Sequence, residues 1–191
     1  MGDFSQNGII SNLHDFGTKT TADIEKELVK FSKERKMELI LPSLYSELKG
    51  DALPNIVKQI SETKYLNHII VGLDKASKTE AVKAWKFFKK LNTPFTILWN
   101  DGPRLKKLHE ELKEKDLAPS EMGKGRNVWY CLGMCIARDE ARSVALHDCD
   151  IKTYDRRMLA KLFYPVVNPF FNFEFCKGYY PRISNKKMNG R

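Results

Sequence analysis

Two aspartates separated by one residue carry the clearest chemical signal in the sequence. Asp148 and Asp150 follow the run 143–146, which is typical of a short apolar strand. Because residues i and i+2 of an extended segment project to the same side, about 6 to 7 Å apart along the chain, both carboxylates can face one ligand. Carboxylate oxygens suit Mg²⁺ or Mn²⁺, and Mg²⁺ is commonly held by one or two carboxylates together with substrate phosphates. The pair predicts a cation and phosphate site, and a solvated turn is the alternative reading.

Other polar side chains are candidates for binding the same phosphate-containing ligand. Asp74 follows an apolar run, where it could accept a hydrogen bond from the N3–H of a uracil-like base or simply begin a turn. Lys124 and Arg126 stand at the start of a predicted helix, where free backbone N–H groups and the helix dipole favour anions. That loop is either a phosphate site or a solvated basic loop. His147 is more typical of a strand-end histidine satisfied by the backbone than of a metal ligand.

Two common phosphate-binding loops are excluded by their spacing. The first predicted strand is followed by PSLYSELKG rather than by the GxGxxG turn that approaches a dinucleotide. The segment EMGKGRN fails the GxxxxGK[ST] pattern because Ala118 occupies the position of the first glycine. A classical NAD or FAD domain and a P-loop ATPase are therefore not expected.

Composition narrows the class of protein and its location. The 191 residues include 33 Lys and Arg against 24 Asp and Glu, and this net charge of +9 favours a polyanionic partner. The sequence contains neither a membrane-spanning apolar stretch nor a secretory signal, so we expect a cytoplasmic protein. Four cysteines without a CxxC pair predict reduced, mostly buried thiols. We assign Trp85, Trp99 and Trp129 to the core, which removes the stacking platforms that a nucleic-acid partner would need.

The elements that must position these residues alternate along the chain. Helices are predicted over 20–36, from 53, from 77, around 105–112 and around 128–136, and strands over 39–41, 68–73, 95–99 and 143–146. This alternation predicts an α/β fold with a mostly parallel sheet and helices on both faces. The strands give way to Pro42 and Glu47, to Asp74, to Asn100 and Asp101, and to Asp148 and Asp150. In open parallel sheets, ligands bind at this carboxyl edge.

Five short motifs in this order resemble the glycosyltransferases of the GT-A fold, in particular the group that includes glucosyl-3-phosphoglycerate synthase and mannosylglycerate synthase. The motifs lie at 42–47, 72–74, 123–125, 148–150 and 177–180. The resemblance implies a Rossmann-like, nucleotide-sugar-binding GT-A domain over 37–191, preceded by an N-terminal extension and helix over 1–36.

This resemblance also implies an activity and roles for individual residues. The activity is metal-dependent transfer of a hexosyl group from a UDP- or GDP-sugar to a small anionic acceptor such as glycerate or 3-phosphoglycerate, with retention of anomeric configuration. In the donor site, Pro42, Leu44 and Glu47 would border the nucleotide and Asp74 would read the base, while Lys124 would approach the base or the diphosphate. Asp148 and Asp150 would be the catalytic acids, which hold the ribose and an Mg²⁺ or Mn²⁺ ion, with Asp150 as the metal ligand.

The acceptor side of the resemblance is incomplete. Gly190 and Arg191 match the start of the Gly-Arg-Val-Thr segment that meets the acceptor in this family. The sequence ends before Val-Thr and before the histidine that completes the family's metal site. The resemblance therefore implies a GT-A fold that is incomplete at the C-terminus and a chain truncated within the acceptor region.

Two other functions remain open at this stage. A metal-dependent nucleotidyltransferase would also combine an α/β sheet, paired acids and a basic phosphate loop. A non-enzymatic nucleic-acid-binding module is supported only by the net charge and by the segment 177–191, which has five Lys or Arg and no acidic residue. The sequence leaves the oligomeric state open, including a homodimer.

Overall fold

The computed structural model describes residues 18–171, 173–178, 181–184 and 187–190. In chain order the elements are α1 Thr21–Phe31, β1 Met37–Leu44, a 3₁₀ helix Tyr45–Lys49, α2 Ala52–Ser61, β2 His68–Asp74, α3 Lys78–Phe88, β3 Phe95–Trp99, α4 Pro103–Lys113, α5 Lys124–Arg138, β4 Ser143–Leu146, α6 Arg156–Val167, β5 Pro181–Ser184 and β6 Lys187–Gly190.

A parallel sheet of four strands organises the molecule. Its order is β3-β2-β1-β4, and β5 and β6 form a separate antiparallel pair. Every residue of β2 is buried, as expected of a strand covered on both faces. Leu44 lies opposite Asp74 in the register of β1 and β2, so the two central strands end level with each other. The predicted α/β architecture with a mostly parallel sheet is confirmed.

The two faces of the sheet are covered by different helices. Alternate residues of β1 divide between them: Leu39 and Leu41 belong to the larger core cluster with α1, α2 and α6, whereas Ile40 packs with α5. Because α1 contributes Ile24 and Leu28 to the larger cluster, the first helix is part of the same core. The strand β4 is buried only at alternate positions and forms one edge of the sheet.

Two of the differences between predicted and observed element boundaries lie at the ends of β1 and α1. The first strand was expected to stop at Pro42, but β1 continues to Leu44. The carbonyl of Ile40 accepts the N–H of His147, so the Pro42 nitrogen faces the same side, where β4 has already ended at Leu146. The missing N–H of proline therefore costs no ladder hydrogen bond. The helix α1 ends at Phe31 rather than near residue 36, and the last turn carries a hydrogen bond from the Ser32 hydroxyl to the Val29 carbonyl.

The assignment of Trp85 and Trp129 to the core is wrong. Their exposed fractions are 48% and 44%. Both lie on apolar stripes that are wider than the buried faces of their helices. Each ring contacts a neighbouring side chain instead of the core. The Lys89 ammonium lies 4.1 Å from the centroid of the Trp85 ring, and Trp129 packs edge-on against Tyr130. Trp99 is partly buried, and its indole N–H donates to the Ala76 carbonyl at 2.7 Å.

Within the described ranges, none of the helices has the length and apolar character needed to cross a bilayer.

The glycine in β2 lets α5 dock closely on the sheet. The Asn127 side-chain amide donates a 2.8 Å hydrogen bond to the Gly72 carbonyl. A Cβ at residue 72 would lie 1.7 Å from Asn127 Oδ1 and 2.6 Å from Cys131 Sγ. Only glycine allows this approach, and the approach sets the position of the first turn of α5.

We predict that Gly72→Ala lowers the free energy of unfolding by about 1 to 3 kcal/mol, since the new methyl group overpacks the contact with α5. Gly133→Ala is the matched control, because a Cβ at this position in α5 meets nothing within 4 Å. The control should be neutral or stabilising by up to about 1 kcal/mol, the usual gain of alanine over glycine inside a helix. Urea denaturation followed by circular dichroism measures both, and equal stability of the two variants would contradict the packing argument.

Candidate functional site

The carboxyl edge of the parallel sheet collects polar residues from every strand. The chain leaves β1 through the 3₁₀ helix containing Glu47, β2 at Asp74, β3 at Asn100 and β4 at Asp148. Because the strands run in parallel, these exits lie on one side of the molecule. The N-terminus of α5 faces the same edge, since α5 runs antiparallel to the strand that follows it.

Glu47 is the polar residue contributed by the end of β1. Its Oε2 atom accepts the backbone N–H of Leu44 at 3.0 Å, which caps the 3₁₀ helix. Burial raises the pKa of Glu47 above its usual range, and the hydrogen bond from Leu44 opposes that shift. The charge of Asp150 also raises this pKa and that of Lys124 lowers it, so all three groups lie within electrostatic reach of one another.

The segment after β4 separates buried from accessible side chains. His147 and Cys149 are buried, while Asp148 is half-exposed and Asp150 is exposed. Both carboxylates are therefore accessible from outside the core, although Cys149 and Asp150 lie in a turn rather than in the extended segment that the sequence predicted. The backbone N–H of His147 donates to the Ile40 carbonyl at 3.1 Å, which ties the segment to the centre of the sheet.

Lys124 joins the start of α5 to the end of β4. Its ammonium forms an ion pair with Asp148 Oδ1. Gly123, the residue before the helix, has φ of +141°, a backbone conformation that favours glycine. The structure therefore pairs Lys124 with Asp148 and places Asp150 and Lys124 within electrostatic reach of Glu47, and the shared ligand site remains a prediction.

Asp74 and Arg126 form a second and more buried pair at the same edge. Arg126 Nη2 lies 3.6 Å from Asp74 Oδ1, and the exposed fractions of the two side chains are 11% and 7%. The Asp74 carboxylate also accepts the backbone N–H of Lys75 at 3.2 Å. Asp74 thus lies beside a fixed cation, in the position expected at the end of β2.

Two of the predicted donor and acceptor residues lie in strands, and one lies outside the described part of the chain. Gly190 ends β6 and lies opposite Pro181 of β5, in the separate two-stranded sheet. Arg191 lies outside the described residues. Pro42, which was expected to border the nucleotide, is a buried residue within β1.

Sequence reasoning noted Asn100 at a strand end but did not predict that it would be buried beside a cavity. A cavity of about 80 Å³ opens there, lined among others by Asn100, His109, Arg126 and Tyr130. Asn100 is buried and neither polar atom of its side chain has a hydrogen-bond partner within the described part of the chain. The strand-end position was visible in the sequence, but the burial depends on α4 and α5, which the sequence does not place.

The donor atoms at the cluster fit a divalent cation whose shell is completed by a ligand. Asp148 and Asp150 supply hard carboxylate oxygens, the type preferred by Mg²⁺ and Mn²⁺. Among the described residues, no group of three or more His, Cys, Asp and Glu side chains could enclose a metal by itself. Such a site suits a cation that also binds phosphate and water, because Mg²⁺ commonly uses only one or two protein carboxylates.

Comparison with solved structures identifies the fold. The chain matches glucosyl-3-phosphoglycerate synthase from Mycobacterium tuberculosis in complex with Mn²⁺, UDP and glucosyl-3-phosphoglycerate, with a TM-score of 0.51 and 17% identity over 82% of this chain and 47% of that chain. The same enzyme in complex with phosphoglyceric acid gives a TM-score of 0.51 and 16% identity over 81% and 46%. The fold is that of the GT-A glycosyltransferases.

Sequence comparison is more specific. The chain is 45% identical over 186 residues to glucosyl-3-phosphoglycerate synthase from Persephonella marina, which covers 97% of this chain and 46% of the relative. It is 36% identical over 185 residues to the synthase from Methanococcoides burtonii, with coverages of 95% and 45%. The chain is thus a homologue of the glucosyl-3-phosphoglycerate synthases, and it spans about half the length of these relatives. The resemblance drawn from the motifs is confirmed, while no protein-family model matches the chain.

We predict a loss of stability in mild acid that originates at His147. Burial lowers the pKa of His147 to about 4, below its ordinary value of 6.5. Between these two pH values the unfolded chain binds the proton and the folded chain does not, so stability is full above pH 6.5 and falls towards pH 4. The shift corresponds to a loss on the order of 3 kcal/mol.

His147→Gln removes this titration and provides the comparison. Urea denaturation of both proteins from pH 7 to pH 4 should show a smaller decline for the variant. Parallel curves would mean that His147 is not the group responsible.

Proposed function

We propose that this chain forms the donor-binding part of a glycosyltransferase that moves a hexosyl group from a nucleoside diphosphate sugar to a small acidic acceptor of the phosphoglycerate type. The observation that carries the proposal is the meeting of Lys124, Asp148 and Asp150 at the carboxyl edge of a GT-A sheet. The curated relatives are named glucosyl-3-phosphoglycerate synthase. A structural neighbour was solved with UDP, Mn²⁺ and the glucosylated product, and again with phosphoglyceric acid.

A divalent cation belongs to the proposal. Asp150 would hold Mg²⁺ or Mn²⁺, with Asp148 beside it. When bound, the cation acts as a Lewis acid that offsets the negative charge on the departing diphosphate. Asp150 suits this role because its carboxylate is exposed, whereas Asp148 already pairs with Lys124. Glu47, whose pKa is raised, adds negative potential next to Asp150 and favours a cation there.

Fixed positive charge is the contribution of α5. The Lys124 ammonium stands at the first turn, where unpaired backbone N–H groups also point outwards. A diphosphate entering here competes with Asp148 for the ammonium and meets a group that is already in place. Preorganised charge of this kind stabilises a leaving group without a reorganisation cost at the moment of reaction.

In this proposal the nucleoside of the donor lies at the ends of β1 and β2. Pro42 and Leu44 border it from β1 together with Glu47, and Asp74 faces it from β2. The Asp74 carboxylate is kept in place by Arg126, which lies on the same turn of α5 as Lys124. The donor would thus extend from the end of β2 to the end of β4.

Retention of anomeric configuration follows as part of the proposal. The five acids at this edge already have partners or a proposed cation: Glu47 caps a helix, Asp74 pairs with Arg126, Asp101 accepts the backbone N–H of Ala76, Asp148 pairs with Lys124, and Asp150 holds the metal. In this proposal none of these five attacks the sugar as a nucleophile. The acceptor hydroxyl would attack on the face that the diphosphate leaves. Most of the rate acceleration would come from the orientation of donor and acceptor. Gly190 and Arg191 are proposed on the acceptor side.

The reducing cytoplasm is the proposed location. The cysteines Cys131, Cys135, Cys149 and Cys176 are free thiols, and burial raises the pKa of each of them above its ordinary value. Protonated thiols without disulfide partners fit a reducing compartment.

We predict that the chain binds UDP-glucose only in the presence of Mn²⁺ or Mg²⁺, and that Asp150→Asn weakens this binding at least about tenfold because a neutral amide is a poorer cation ligand. Titration calorimetry with and without EDTA measures the effect. Asp116→Asn is the control, since this exposed aspartate follows α4 and carries an equal change of charge. Chelator-insensitive binding, or equal affinity of the two variants, would falsify the metal role.

A second variant tests the phosphate contact. Lys124→Ala should weaken UDP binding by about 1.5 to 3 kcal/mol, the usual contribution of a hydrogen bond to a charged group. Lys113→Ala removes an exposed lysine from the last turn of α4 and should leave affinity unchanged. If Lys124→Ala binds UDP as tightly as the control, Lys124 is only a solvated partner of Asp148.

A further inference from the structure

A larger cavity lies at the opposite end of the sheet from Asp148 and Asp150. Its volume is about 560 Å³, within the range of about 300 to 1,000 Å³ that small-molecule sites occupy. Ser143, the first residue of β4, lines this cavity, whereas the two aspartates follow the last residue of the same strand. Its other walls come from the segment before β1 and from the end of α6 with the residues that follow it. The cavity is therefore separate from the proposed donor site.

Two arginines without acidic partners lie on one wall of the cavity. Arg35 Nη1 donates to the Val167 carbonyl at 3.3 Å, Arg142 is exposed, and neither forms an ion pair within the described part of the chain. The backbone N–H groups of Arg142 and Ser143 both donate to the Lys36 carbonyl, at 2.8 and 3.2 Å, which fixes Arg142 next to the segment that carries Arg35. Arginines placed in this way are typical of phosphate and carboxylate sites, because the planar guanidinium presents several N–H donors in a fixed geometry.

Ser143 adds an unpaired hydroxyl to the two arginines, and these three residues form the cationic wall. Ser143 is 8% exposed, and its buried Oγ atom has no hydrogen-bond partner among the described residues. A buried polar group without a partner costs about 1 to 3 kcal/mol, so a hydroxyl kept in this state indicates a partner that arrives from outside. Phosphate and carboxylate oxygens accept hydrogen bonds from serine as well as from arginine.

Three phenylalanines that follow α6 form an aromatic wall: Phe170, Phe171 and Phe173. Phe170 is 89% exposed, and Phe171 packs edge-on against Phe173 with 6.0 Å between the ring centroids. The turn that presents these rings is fixed by Asn168, whose Oδ1 atom accepts the Phe170 N–H and whose carbonyl accepts the Phe171 N–H. Exposed apolar surface bordered by polar residues marks a binding site.

We propose that this cavity binds a small organic anion in which a phosphate or carboxylate group is attached to a flat apolar ring. Arg35 and Arg142 would bind the anionic group, and the Ser143 hydroxyl would donate to the same group. The ring would lie against Phe170 on the aromatic wall. Glu174 also lines the cavity, but it is exposed and pairs with neither arginine, so it leaves both positive charges available to a ligand. Binding here requires neither a metal ion nor the proposed donor site.

Neither part of such a ligand matches the cavity by itself. Inorganic phosphate would pair with the cationic wall but would leave the aromatic wall in contact with water. An apolar ring would cover the phenylalanines but would leave the arginines and the serine hydroxyl without an anionic partner. A ligand that carries both parts is therefore expected to bind more tightly than either part alone.

Phenyl phosphate is the probe, and NMR titration of the unaltered chain in the presence of EDTA measures its binding. We expect phenyl phosphate to bind at least about tenfold more tightly than inorganic phosphate or benzyl alcohol, since each of these compounds uses only one wall. The backbone signals of Arg142, Ser143 and Phe170 should shift, and those of Lys124 and Asp148 should not.

One pair of variants tests the cationic wall. Arg142→Gln should weaken the binding of phenyl phosphate about tenfold, as expected for the loss of a hydrogen bond between charged groups. Arg104→Gln is the matched control, because Arg104 is an exposed arginine in the first turn of α4, and it should leave the affinity unchanged.

A second pair tests the aromatic wall. Phe170→Ser should weaken the binding of phenyl phosphate about tenfold and leave that of inorganic phosphate unchanged, because only the ring contact is lost. Phe175→Ser is the matched control, since Phe175 is 71% exposed and lies outside the cavity. The side chains of Arg142 and Phe170 are both exposed, so their replacement is not expected to prevent folding.

Several results would overturn this site. The chain would bind no phenyl phosphate, would bind phenyl phosphate and inorganic phosphate equally, or would show shifts at Lys124 and Asp148 instead of at the start of β4. Affinities of Arg142→Gln and Phe170→Ser equal to those of their controls would also overturn it. Metal-dependent binding of UDP is a separate measurement, so failure here leaves the proposed function standing.

Discussion

Uncompensated negative charge at the carboxyl edge of the sheet is the constraint on which the site depends. Glu47, Asp148 and Asp150 come from two segments that meet there, and Lys124 is the cation paired with them. Burial raises the pKa of Glu47, and the nearby charge of Asp150 raises it further, as expected where acids lie close together. Lys124 compensates only part of this negative charge, so a further cation would stabilise the cluster. A divalent cation bound to a diphosphate would provide that charge.

The rest of the fold fixes the acidic side of this cluster relative to its basic side. The acids are fixed by β1 and β4, which pair in parallel and are tied by the hydrogen bond from His147 to Ile40. The basic side is fixed by α5, which docks on β2 where Gly72 leaves room for Asn127. Both Lys124 and Arg126 therefore stand on one rigid turn, and each is aimed at a different carboxylate of the same edge.

Much of this arrangement could be predicted because it depends on local pattern. The runs at 95–99 and 143–146 are strands with these same bounds, and the spacing of Ser77 and Glu80 is a capping box in the structure. The gathering of Asp74, Lys124 and Asp148 at one edge follows from parallel topology, which the alternation of elements already indicates. The individual ligand roles of these residues remain predictions.

What the sequence did not provide depends on contacts between distant segments. The local sequence predicts that the strand stops at Pro42. Pro42 fits within β1 because β4, on the side that its nitrogen faces, has already ended. Trp85 and Trp129 lie on apolar helical stripes that are wider than the surfaces they cover. Asn100 looks like an ordinary strand-end residue until α4 and α5 enclose it. In each case the deciding partner lies far away along the chain.

The central claim is that Asp150 binds a cation that also holds the phosphates of a nucleotide. Diffraction from crystals of this chain grown with Mn²⁺ and UDP tests it most directly, because manganese gives an anomalous signal that fixes its position. The account predicts an anomalous peak within coordination distance of the Asp150 carboxylate and of the diphosphate, with Lys124 turned towards the phosphates. Manganese bound elsewhere, or UDP bound away from the ends of β2 and β4, would contradict it.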